Sequence, residues 1–383
     1  MLQVVGTNPA VLRWARERAG HSLADVAAAF DKDVSVVEDW EAGRQAPSLA
    51  QLERLAYQLY KRPLAVFFFP APPTEEEPER EFRTLPEAEL ESLAPDTRFA
   101  LREAMARQMS LRELTGGHGP STKKIFRDIS ASPDESAPAL AKRIRDYLGV
   151  SVDEQSSWAG SEEAFKRWRD VVEECGVFVF KRPFKQDGID AFCLPDPEFP
   201  VVFINNKAHF TRQQFSLFHE VAHLLFATAG ITKDDDSYIN GLTGVPRKIE
   251  IAANRVAHEL LVPESDFGSR VPDVVDEETL GELARRYHVS REVVLRRLLD
   301  KGIVEAEEYK RWVSGWRQGG RQRTGTGGNY YSNQGVYLSR TYAELAFSRY
   351  HAGRLSIEEL AEHLRMKARN LENLEAHLFG SRG

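Results

Sequence analysis

Residues 215–226 read FSLFHEVAHLLF, an apolar run interrupted by His219, Glu220 and His223. The spacing predicts a helix that is hydrophobic almost all the way round, hence a buried one. Three titratable side chains inside it are costly unless something compensates them. Residues four apart share one face of a helix, one turn apart. His219 and His223 therefore point the same way, at the spacing two imidazoles need to bind one metal ion, and Glu220 can reach a water on that metal. The alternative is a pair of core histidines satisfied by hydrogen bonds, with Glu220 solvated. The apolar flanks argue against it, because an ionised carboxylate there needs a cation or a strong donor. Upstream, Thr211 and Gln214 fit a capping box, which places the His–Glu–His turn well inside the helix.

A catalytic zinc takes three protein ligands and keeps one position open. The next helical segment, KIEIAANRVAHELLVP (248–263), offers Glu250 near its start, with His258 as the rival third ligand. Asn254 lies one turn beyond Glu250 on the same face, placed to hydrogen-bond a ligand from the second shell. Zn2+ in such a site lowers the pKa of bound water to about 7, and Glu220 is positioned as its general base. The run PVVFIN (200–205) reads as a strand whose edge an extended peptide can pair with. The expected reaction is hydrolysis of a peptide bond.

The rest of the chain frames this site. Its 383 residues suffice for two or three domains, and its 42% hydrophobic and 28% charged content is that of globular protein. No apolar run approaches a bilayer span and no positive leader precedes an apolar core, so a cytoplasmic protein without membrane contact is expected. Cys175 and Cys193 do not form a CxxC pair and read as two buried thiols. Residues 1–70 read as short helices in helix-turn-helix order, with Ser22 and Ser48 as N-caps and Gly20 as a stop. Residues 71–97 are acidic and proline-rich, a linker by composition, and 98–159 form a helical connecting region. Residues 160–302 mix helices with short β-like runs at 177–180, 191–194 and 200–205, followed by a Gly/Asp-rich loop at 230–247. Residues 303–383 are helical around a Gly-rich stretch, 319–335, that holds Arg321 and Arg323. The fold class is α+β and predominantly α-helical. No fixed-period repeat is evident, although three segments have a helix–turn–helix pattern.

RQQFSLFHEVAHLLF followed by IEIAANRVAHELLVP resembles the ImmA/IrrE family of zinc metallopeptidases, with Val256–Ala257 in place of the family's usual Phe–Ala pair. The resemblance puts His219, His223 and Glu250 on the metal positions and Glu220 on the catalytic glutamate. It implies a zincin-like domain with a small β-sheet over 160–302. SLADVAAAF, WEAGRQAPSLAQLERLA and RPLAVFFFP resemble an XRE-type helix-turn-helix module of five helices, and the joined arrangement resembles the long, two-part form of the family. That form implies a cytoplasmic regulator that cleaves a specific protein partner, usually a helix-turn-helix repressor or another product encoded nearby. Some long members are regarded as antitoxins, which implies a toxin as a possible partner. The alternative reading is therefore a DNA-binding regulator or antitoxin whose metal site is not essentially proteolytic.

Charge tempers the DNA reading. Residues 1–70 hold eight basic and eight acidic side chains, and DKDVSVVEDWE (31–41) holds five acids against one lysine. Phosphate contacts supply most non-specific affinity for DNA. Lys32, Ser35 and Arg44 remain the candidates for operator contact, and a homodimer is the usual route to an operator. The more basic RRYHVSREVVLRR (285–297) reads as a packed helix pair with a solvated face.

Overall fold

The computed structural model describes residues 6–75, 93–233, 236–319 and 337–380. Most of the acidic stretch after residue 75, and the Gly-rich stretch from 320 with Arg321 and Arg323, lie outside the described residues. Two units are distinct: residues 1–105 with 185–187, and residues 106–184 with 188–383.

In the first unit, α1 (Pro9–Ala19) is capped by Asn8 and ends at Gly20, whose φ of 77° is the left-handed geometry glycine supplies at least cost. Next come α2 (Leu23–Phe30), α3 (Val34–Glu41) and α4 (Leu49–Glu53), the last running into a π-helical turn at Arg54–Tyr60. A 3-10 turn, Leu64–Phe68, is the fifth element of the module. Ser22 and Ser48 do cap their helices, in reciprocal boxes with Asp25 and Gln51. The apolar stripes meet in one core around Val11, Leu12, Val26, Val37, Trp40 and Leu52. Glu41, buried, accepts from Arg16 at 2.7 Å, so one of the five acids in 31–41 is spent inside the fold. Helix α5 (Pro95–Thr115) begins in the first unit and ends in the second.

The second unit starts with α6 (Ile125–Asp128), α7 (Ala137–Leu148), α8 (Val152–Ser157) and α9 (Ser161–Glu174). Strands β1 (Phe178–Arg182), β2 (Ile189–Leu194) and β3 (Val201–Asn205) lead into α10 (Phe210–Leu225), the helix of the opening motif. Strand β4 (Gly230–Lys233) then precedes α11 (Gly244–Leu261). Seven further helices follow: α12 (Glu264–Phe267), α13 (Glu277–Tyr287), α14 (Arg291–Asp300), α15 (Ala306–Gly319), α16 (Arg340–His351), α17 (Ile357–Leu364) and α18 (Leu371–Phe379). No helix among the described residues is long and apolar enough to cross a membrane.

The four strands form one mixed sheet in the order β1-β3-β2-β4. Strand β3 runs parallel to β1, with Phe178 opposite Val201, and antiparallel to β2, with Ala191 opposite Ile204. The run at 200–205 is thus an interior strand with no free edge, a correction to its expected role of pairing with a substrate. The outer strand beside the site is β4, in the stretch read as a loop from its Gly and Asp content. Helix α10 is buried from Gln213 through Leu225, between the sheet, α9 and α11. It starts at Phe210, so Thr211 lies inside it and the expected Thr211–Gln214 box does not form. The Gln214 amide instead donates to the carbonyls of Ser161 and His288.

Lys181 on β1 is buried with its ammonium 4.7 Å from the Phe165 ring centre and 5.3 Å from that of Phe210. Burial, and then the charge of Arg169, lowers its pKa to about 7. Above that pH the folded chain releases a proton that the unfolded chain keeps up to about 10.4. Stability attributable to this residue therefore rises with pH across that window. Lys181→Met is expected to raise the unfolding free energy by about 2 kcal/mol at pH 7, the gain fading towards pH 10 in denaturant titrations.

Candidate metal centre

Helix α10 presents His219 and His223 one turn apart, and α11 crosses it with Glu250 pointing at both. The two Nε2 atoms are 3.0 Å apart, and the Glu250 carboxylate lies 3.3 Å from each through different oxygens. All three side chains are buried, and they are the group of possible ligands that converges among the described residues. Glu250 lies well inside α11, which begins at Gly244, so it is not a first-turn carboxylate serving the helix dipole.

The protons of the imidazoles follow from their outer partners. His219 Nδ1 is 2.8 Å from Oδ1 of Asn254, so Nδ1 carries the hydrogen and Nε2 the lone pair. His223 Nδ1 is 3.1 Å from the Thr228 hydroxyl, which donates its own hydrogen to the His223 carbonyl. Its Nε2 therefore also presents a lone pair. Two lone pairs and a carboxylate facing one another at 3.0–3.3 Å suit a small cation bound at about 2 Å. For the ring alone, burial opposes charging His223 and the Glu250 carboxylate more than offsets it, so the imidazole pKa is raised. Burial pushes Glu250 up and the two histidines outweigh that, which leaves it well below the usual range.

Glu220 stands outside this group of three and is held by β4. Its Oε1 accepts from Thr232 twice, from the backbone N–H at 3.0 Å and from the hydroxyl at 2.5 Å. Its Oε2, fully buried, has no hydrogen-bond partner among the described residues. A buried carboxylate oxygen left bare marks a place for a proton or a water. Cys193 lies nearby, but burial and then the Glu220 charge hold its thiol far above the ordinary range, so it stays neutral.

Several residues of the site carried no signal in the sequence. Gly230 begins β4 so close to His223 that a Cβ there would stand 2.5 Å from the ring and 2.8 Å from Glu220 Oε2. Tyr238 donates to Glu250 at 2.5 Å from a 3-10 turn, Asp236–Gly241. Arg212 bridges Asp190 on β2 and the Lys233 carbonyl, tying α10 to the outer strand. His258 packs against the Phe215 ring at 4.8 Å and is not part of the converging group. In the first unit Lys32 and Ser35 are exposed, while Arg44 is held by Asp39 at 2.6 Å. They do not join a built site.

Residues 172–299, which contain β1–β4, α10, α11 and the ring, match the M78 peptidase family model described as IrrE N-terminal-like domain. Residues 10–61 match the model described as Helix-turn-helix domain. No curated protein matches the chain. A helix-turn-helix match followed by an IrrE N-terminal-like peptidase match is the domain order that the resemblance to the ImmA/IrrE family implies.

Proposed function

We propose that the protein is a cytoplasmic zinc endopeptidase that cleaves a specific regulatory partner, a helix-turn-helix repressor or similar protein. One observation supports it above the rest: two imidazole lone pairs and Glu250 converge on one point while Glu220 Oε2 stands bare beside it. His219, His223 and Glu250 would hold the ion; Asn254 and Thr228 orient the imidazoles. A zinc ion bound there lowers the pKa of its water to about 7 and polarises a substrate carbonyl. Glu220 takes a proton on Oε2 and returns it to the leaving nitrogen, while Thr232 keeps Oε1 fixed. The outer strand β4 suits an extended substrate segment, since among the described residues no strand pairs with its far side. The second reading, a DNA-binding regulator or antitoxin without essential proteolysis, draws on the helix-turn-helix match.

Metal analysis by mass spectrometry tests the site. Chain purified without chelator is expected to carry about one zinc, and His223→Ala to lose it. A metal-free wild type that takes up no added zinc would remove the chemistry assigned to Glu220.

A further inference from the structure

One backbone device closes four helices of the described residues on a non-glycine residue, once before a strand, at Ala227 (φ 53°), and three times before a second helix. In those three the closing residue, in the left-handed region, is Asp31 at φ 52°, His288 at 54° or Arg365 at 53°. Each time this N–H bonds the carbonyl three residues back and the next N–H reaches back five: to Ala28 and Ala27, Arg285 and Ala284, Glu362 and Ala361. Each time the second helix opens with the same i→i+3 bond, Val36 to Asp33, Val293 to Ser290, Asn370 to Lys367. The first and third copies agree further. Ser22 with Asp25, and Ser356 with Glu359, cap eight-residue helices in reciprocal boxes. Val26, Val37 and Trp40 are buried where Leu360, Leu371 and Leu374 are buried. A left-handed glycine follows the preceding helix in both, Gly20 directly after α1 and Gly353 one residue beyond the Ala352 cap of α16, one position out of register. Over these twenty aligned positions, Ser22 and Ser356, Ala27 and Ala361, Glu38 and Glu372, and Glu41 and Glu375 are the shared residues.

The copies differ in charge. The first has Asp31, Asp33 and Ser35 where the third has Arg365, Lys367 and Arg369. In the middle copy Arg286, Arg291, Arg296 and Arg297 are each held by an acid of the fold, and Val294, Leu295 and Leu298 are in the core. Four of the five arginines of 285–297 are thus spent on structure, and Arg285 is exposed. In the third copy Lys367 and Arg369 are exposed and make no ion pair among the described residues. Arg369, Asn373 and His377, four apart, form one exposed polar stripe along the second helix. Of the two acids on that helix, Glu375 is engaged by His351 at 2.5 Å, while Glu372 is exposed beside Asn373. Phosphate needs cations at the start of such a helix, and base edges need Arg, Asn or His along it.

We infer that Arg340–Phe379 is a second helix-turn-helix module whose Lys367–His377 face binds double-stranded DNA. The first module, acidic at the equivalent positions, contributes little phosphate contact. The inference does not depend on the metal centre.

The test is fluorescence anisotropy of the full chain with a labelled 25-bp duplex of random sequence, titrated from about 50 to 200 mM salt. Lys367→Glu with Arg369→Glu is expected to weaken binding at least thirtyfold and to reduce the slope of log K against log salt by about 2. Lys32→Glu with Ser35→Glu, at the first module's equivalent turn, is expected to change it less than threefold. Thermal melts within a degree or two of wild type show that neither pair acts through unfolding, and Lys367→Gln with Arg369→Gln repeats the measurement if the double Glu variant melts early. The inference falls if the wild type does not bind the duplex at low salt, or if the first module's variant carries the loss. It also falls if the second module's variant keeps its DNA affinity while losing a protein partner.

Discussion

Glu220→Gln is expected to slow cleavage of the partner protein by about 10²–10⁴-fold while leaving the zinc content at its wild-type level. The separation of the two effects follows from the geometry. Glu220 is outside the ring of His219, His223 and Glu250, so its charge is not needed to hold the ion. The glutamine carbonyl oxygen can replace Oε1 and still accept both bonds from Thr232, so the side chain stays where it is. What changes is the other terminus, where a basic oxygen without a partner becomes an NH2 group that cannot receive a proton. Digestion of the purified partner, followed by mass spectrometry beside metal analysis of the same preparation, reads both quantities. Cleavage within tenfold of wild type would mean that another group moves the proton, and loss of zinc would mean that Glu220 is part of the metal's support. Survival of the biological output without cleavage would favour the regulator reading.

The parts of this centre that could be read from sequence are those fixed by local rules. Helical spacing pairs His219 with His223, the same spacing pairs Glu250 with Asn254, and serines before apolar stripes mark the starts of α2 and α4. The rest depends on contacts distant in the chain. GITK at 230–233 is too short and too close to Gly and Asp residues to read as a strand; it becomes one by pairing with β2. A short apolar, β-branched run after Pro200 marks 200–205 as a strand but does not show that β1 and β2 flank it, because strand order is not written locally. Thr228, Thr232 and Tyr238 have no periodicity to betray them, and each acts through a single hydrogen bond or two to a group on another element. Patterning marks the three helix–turn–helix segments but not the shared geometry of their turns. The left-handed residue that closes them is Asp, His or Arg, where sequence rules look for glycine or asparagine. The surrounding helices set that conformation, and side-chain identity is left free to vary in charge.

Gly230 gives the sharpest check on how the centre is built. A methyl group added there would stand 2.5 Å from Cδ2 and 2.6 Å from Cγ of His223, where carbon contacts are comfortable near 3.5–4.0 Å. The imidazole belongs to a helix buried from Gln213 through Leu225, and among the described residues β4 is an outer strand paired with β2 alone. Either β4 moves outward, carrying Thr232 away from Glu220, or the imidazole turns and breaks its bond to Thr228. Both disturb the orientation of a ligand, an effect on the order of 10–100-fold in metal affinity. For the wild type, free zinc at a thousand times its Kd stabilises the fold by about 4.1 kcal/mol. For a unit of this size that is roughly a 10 °C rise in melting temperature. At the same free zinc, Gly230→Ala is expected to show about a third to two thirds of that rise, because each tenfold loss of affinity removes about 1.4 kcal/mol. Taking the difference with and without zinc inside each protein cancels the cost of the methyl group to the metal-free fold. An unchanged zinc-dependent shift in Gly230→Ala would mean that the ring tolerates movement of His223, and the close approach of β4 would then serve packing rather than the metal.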